Sequence, residues 1–112
     1  MPALRTYPVL TCSLADREHL ASRRQYAHVF HRQGIICIAR AFHSLPLSYR
    51  LGLLLHECGH LLAGPTAGED AANRAIHRHT GIPLYYRDSP GGKEVEWVRP
   101  RDVNRARRAL GL

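Results

Sequence analysis

The chain has 112 residues, 45% hydrophobic and 22% charged, with a net charge of +7 from 16 Lys+Arg against 9 Asp+Glu. That length suits a single domain over residues 1–112 with a core of its own, and the composition excludes a disordered tail, a collagen-like repeat and a low-complexity linker. The longest uncharged apolar run, Leu51 to Leu55, is far too short to cross a membrane.

Residues 1–10 hold one Arg and no apolar stretch of the signal-peptide kind, so a cytoplasmic location is expected. Residues 4–12 read as a short extended segment, with Val9, Leu10 and Thr11 favouring strand. Ser13 is placed to cap a helix over about residues 14–23. Two apolar, β-prone runs follow, from Tyr26 to Phe30 and from Ile35 to Ala39. The four residues between them include Gly34, which is a hairpin signal.

Pro46 suits the start of a helix that continues to Ala63 and is apolar almost all round, through Leu51, Leu53, Leu54, Leu55, Cys58, Leu61 and Leu62. Such a helix belongs at the centre of a domain. Gly64-Pro65 ends it. A second helix begins near Gly68 or Glu69, runs to about His79 and closes at Thr80-Gly81. Residues 82–87 and 94–98 read as strands around a Pro- and Gly-rich link. Pro100 precedes a last, Arg-rich helix over about residues 102–110. The elements together describe a small α+β domain, a short mixed or antiparallel sheet against a buried helix and a second helix. Cys12, Cys37 and Cys58 are odd in number and widely spaced, which fits reduced thiols better than a disulfide framework.

Eight histidines are many for this length, and two fall inside the buried helix as His56-Glu57-Cys58-Gly59-His60. Residues four apart lie on one helix face, so both imidazoles can hold one ion, and Zn²⁺ accepts two such nitrogens. Glu57 can then reach a water at the ion without occupying a ligand position. Composition alone yields this pattern in roughly one such chain in forty. Its place in an apolar helix adds weight, because three ionisable groups buried there are costly unless they share a cation. Cys58, about 200° around the helix from His56, is expected to face the core. Gly59 would allow a close approach beside His60, and Gly52 would permit close helix packing.

A zinc site needs a third protein ligand, and the second helix offers Glu69 and Asn73, four apart on one face. Glu69 would bind the ion and Asn73 would orient a ligand histidine, His56 being the nearer choice. Asp70 is the second choice as ligand, and His77 and His79 the third.

The strand Gly34-Ile35-Ile36-Cys37-Ile38-Ala39, the run His56-Glu57-Cys58-Gly59-His60, and Glu69-x-x-Ala72-Asn73 together resemble the zincin metallopeptidases of gluzincin type. Among these they are most similar to the small ImmA/IrrE-like, or minigluzincin-like, peptidases. The resemblance spans about residues 26–76. It implies a zincin-like fold, zinc on His56, His60 and Glu69, Glu57 as general base and Asn73 behind a ligand histidine. It also implies hydrolysis of peptide bonds in a protein substrate, such as a repressor. The strand from Ile35 to Ala39 would then be an edge that pairs with the extended substrate. Two features depart from the family: the interval from His60 to Glu69 is short, and no helix-turn-helix accompanies the motif. Tyr85, Tyr86, His77 and His79 have the chemistry to donate to an oxyanion, and the residues do not choose among them.

Two other functions compete: a zincin-like module that binds metal without turnover, and a basic protein associated with nucleic acid. Arg99, Arg101, Arg105, Arg107 and Arg108 form a cationic tail. They lack interleaved aromatics, so a docked amphipathic helix with a solvated basic face is favoured over nucleic-acid contact. Trp97 is expected as core or sheet cover.

Overall fold

The computed structural model describes residues 9–11 and 26–112. The helix expected over residues 14–23, most of the segment expected over 4–12, and Cys12 lie outside the described residues. A three-stranded mixed sheet holds β1 (Val9–Thr11), β2 (Ala27–Phe30) and β3 (Ile35–Ile38) in the order β1-β3-β2. β2 and β3 form the expected antiparallel hairpin, pairing Ala27 with Ile38 and Phe30 with Ile35. Gly34 closes its turn at φ 66°, donating its N–H to the Phe30 carbonyl at 2.9 Å. β1 pairs parallel to β3, Val9 opposite Ile36. The strand from Ile35 therefore lies at the centre of the sheet, and β2 is an edge among the described residues. The expectation that the Ile35 strand is free to pair with a substrate is corrected here: β1 and β2 already take both of its sides.

A 3₁₀ turn over Arg40–Ser44, which the sequence pattern did not signal, buries Phe42 and leads into α1 (Leu47–Ala63). α1 is buried on all sides through its middle, from Leu51 to Leu53 and from Leu55 to His60, as its unbroken apolar pattern requires. Each fully buried Leu there contributes about 1.5–3 kcal/mol. Cys37 and Cys58 are both buried in the core. Burial, and after it the Glu57 charge, pushes the Cys58 thiol up to about 12, so it stays protonated and inert. Gly64, at φ 102°, turns the chain toward α2 (Glu69–Thr80), which Gly81 ends in the left-handed conformation.

A second sheet is the antiparallel pair β4 (Tyr85–Asp88) and β5 (Glu94–Trp97). β4 starts later than the apolar run from Ile82 suggests. Thr80 Oγ1 takes the Ile82 N–H at 3.1 Å, and Pro83 has no N–H to give a ladder. β5 lies against α1 so closely that a Cβ on Gly52 would stand 2.7 Å from both the Glu96 carbonyl oxygen and the Trp97 nitrogen. Gly52 thus serves helix-on-strand contact, not the helix packing expected of it. Trp97 covers the sheet, with the Arg87 guanidinium 4.5 Å from its ring centroid. After a 3₁₀ turn at Pro100–Asp102, α3 (Val103–Leu110) buries Ala106 and leaves Arg107 and Arg108 in solvent, as an amphipathic docked helix should. Arg105 reaches back to donate to the Thr80 carbonyl at the end of α2, at 3.1 Å.

Candidate metal centre

The α1 pattern places His56 and His60 one turn apart on a single face, both buried, with the rings edge to face. α2 doubles back over that face. It comes so near that a Cβ on Gly59 would stand 2.2 Å from the Ala72 carbonyl oxygen. Ala72 lies between Glu69 and Asn73, so Gly59 sets the depth at which both side chains arrive. Glu69 Oε2 is 2.6 Å from His56 Nε2, Glu69 Oε1 is 3.2 Å from His60 Nε2, and the two Nε2 atoms are 3.1 Å apart. One ligand atom from each residue falls within 4.8 Å of the others, so the three could hold a metal ion. A tetrahedral ion with bonds of about 2.0–2.1 Å spaces its ligand atoms by about 3.3 Å, close to the His–His and His60–Glu69 separations.

The hydrogen bonds fix which nitrogen of His56 faces the cluster. Asn73 Nδ2 donates to Tyr86 Oη at 2.9 Å, which turns Asn73 Oδ1 toward His56 Nδ1 at 2.6 Å. Oδ1 only accepts, so Nδ1 carries the proton and the neutral ring offers its Nε2 lone pair to the cluster. That lone pair meets a carboxylate oxygen at 2.6 Å, an arrangement that requires a proton or a cation between them. The donor set therefore fits a metal ion.

Without an ion, a proton takes that place. Burial alone would lower the His56 pKa. The Glu69 hydrogen bond, the Glu96 and Glu57 charges and the Asn73 contact outweigh it and raise the value from 6.5 to about 9. The hydrogen bonds from His56 and His60 hold the Glu69 carboxyl well below the usual carboxylate range. The sign for stability follows. The raised His56 contributes fully below about pH 6.5 and loses its contribution as pH rises through 9. The depressed Glu69 contributes above its ordinary value and loses that as the solution is acidified. Metal-free protein is thus expected to lose stability between pH 6.5 and 9, on the order of 1 kcal/mol, because Glu69 is 51% exposed and the pair is screened. Zinc binding, which displaces that proton, should tighten over the same interval. Thermal melts with and without a chelator across this range check both slopes.

The other ligand candidates stay apart. Asp70, His77 and His79 are exposed and outside the group. Tyr85 is exposed, with the Arg99 guanidinium 5.3 Å from its ring centroid. Glu57, 2% exposed, borders with His56, Glu69 and Glu96 a cleft of about 260 Å³ that Tyr26 and Lys93 also line. Sequence reasoning missed Glu96. Its carboxylate is buried, at 7% exposure, with Oε1 3.3 Å from His56 Nδ1. Alternation in Glu94-Val95-Glu96-Trp97 assigns it to a solvent face, and only the packing of β5 on α1 reverses that. At the coarsest level, the buried His56 and His60 and the exposed Glu69 form a group that could hold a metal ion. Comparison with protein-family models, curated proteins and solved structures gave no match to this chain.

Proposed function

We propose that the chain is a zincin-type metallopeptidase that holds zinc on His56, His60 and Glu69 and hydrolyses peptide bonds of a protein substrate. The observation that carries this reading is the convergence of those three side chains beside a cleft that Glu57 also borders. A structural zinc normally takes four protein ligands, whereas three with an adjoining cleft suit catalysis. When bound, the ion would supply Lewis-acid polarisation of a water and of the scissile carbonyl. Glu57 would accept the proton of the attacking water and deliver it to the leaving nitrogen. Asn73 would keep the His56 ring in plane and its Nε2 aimed at the ion. An extended substrate would lie along β2, an edge strand among the described residues whose Ala27 reaches the cleft, and hydrogen-bond to its outer side.

Metal analysis of wild-type protein and His60→Ala after dialysis tests the reading. Near-stoichiometric zinc in the first, and loss of most of it in the second, is expected. A wild type that takes up no metal, even after zinc is added, removes the proposal.

A further inference from the structure

Glu96 and Tyr86 occupy opposite positions on the β4–β5 hairpin, paired across the strands. Both reach His56: Glu96 Oε1 is 3.3 Å from Nδ1, and Tyr86 Oη accepts from Asn73, whose Oδ1 is 2.6 Å from the same nitrogen. Asn73 Oδ1 accepts the Nδ1–H while the Glu96 carboxylate stands beside the same nitrogen as a charge, and both influences trace to a single cross-strand pair. Glu96 lies on the Nδ1 side of the ring, whereas Glu69 and His60 lie at Nε2, so Glu96 is no ligand.

The hairpin is also fastened where it must be. Gly52 lets the β5 backbone at Glu96 and Trp97 lie directly on α1, one turn before His56. The Val98 N–H donates to the Ser48 carbonyl at 3.2 Å, and Tyr49 Oη donates to the Asp88 carbonyl at 2.8 Å. Tyr26 Oη and Ser89 Oγ, 3.1 Å apart, tie the far end of the hairpin to the start of β2. A carboxylate as buried as Glu96 is costly unless paired, and its ion-pair partner here is the His56 ring.

We propose that the β4–β5 hairpin is the orienting clamp of the proposed metal ligand His56, with the Glu96 charge set beside Nδ1 and Tyr86 locking Asn73 to the same atom. This rests on the metal reading above. Glu96 and Tyr86 are positioning residues: they set the plane of the imidazole, and the Glu96 charge raises the donor strength of its Nε2.

The test uses full-length wild type, Glu96→Gln and Tyr86→Phe. Gln keeps the shape and an acceptor but removes the charge. Phe removes only a hydroxyl from an exposed ring, so folding is preserved in at least that variant. Zinc affinity is read by competition with a chromogenic chelator, and ligand geometry by the visible bands of the Co²⁺-loaded protein. Glu96→Gln is expected to weaken zinc binding about 10-fold, Tyr86→Phe several-fold, with cobalt bands shifted in both. A merely structural role would move the melting temperature and leave both readouts alone. Zinc bound normally by wild type, with unchanged affinity and cobalt bands in both variants, overturns the clamp and leaves the metal site standing. A wild type that binds no zinc overturns the two together.

Discussion

On the proposed reading, Glu57→Gln is expected to lower peptide hydrolysis by about 10²–10⁴-fold, the range a positioned general base contributes. Glu57 is 2% exposed, and Gln has nearly its shape, so the packing around α1 should persist. The zinc content should stay at the wild-type level, because the three proposed ligands are untouched. Loss of turnover with retained metal separates the base from the ligands. The measurement is single-turnover cleavage of an unstructured protein substrate beside elemental analysis of the same sample. Activity within a few-fold of wild type would remove Glu57 from the chemistry.

Gly59→Ala carries the second large effect. Its new Cβ would stand 2.2 Å from the Ala72 carbonyl oxygen and 2.8 Å from its carbonyl carbon, backbone atoms that no rotamer change can move. α2 has to withdraw, and Glu69 and Asn73 withdraw with it. The overpacking costs about 1–3 kcal/mol or more. For a domain of this size each kcal/mol lowers the melting temperature by about 4–8 °C. Affinity for the proposed zinc should collapse alongside, since one proposed ligand and the support of another are displaced at once. Gly68→Ala is the control: a Cβ there meets nothing within 4 Å, and both stability and zinc binding should stay near wild type.

The parts of the site that rest on helical periodicity were legible in the sequence. His56 and His60 share a face at any i,i+4 spacing, and Glu69 and Asn73 do the same on the next helix, so a short reversal between the helices brings four side chains together. Gly59 was legible as a close contact, though not as the one that seats Ala72. The strand contributions were not legible. Glu96 and Tyr86 reach His56 through a hairpin that begins 22 residues beyond α1, docked at Gly52, whose close contact was expected to be with another helix. Their period-2 pattern alone reads as an ordinary solvated face. The same limit explains the sheet. That Ile35 begins a strand follows from local β propensity, but its burial between two neighbours depends on the pairing of Val9 with Ile36, a long-range parallel match with no local signature.

The three proposed ligands are unequally sheltered: both imidazoles are buried, while the Glu69 side chain is 51% exposed. Any ion held there as proposed would therefore have a preferred way in and out. A chain carrying zinc as proposed exchanges it through the carboxylate side, where one side-chain rotation, fast on the timescale of folding, opens the coordination sphere. A chelator would strip the folded protein at a rate governed by that swing and not by global unfolding. Occupancy would then follow the free-zinc level of the surroundings.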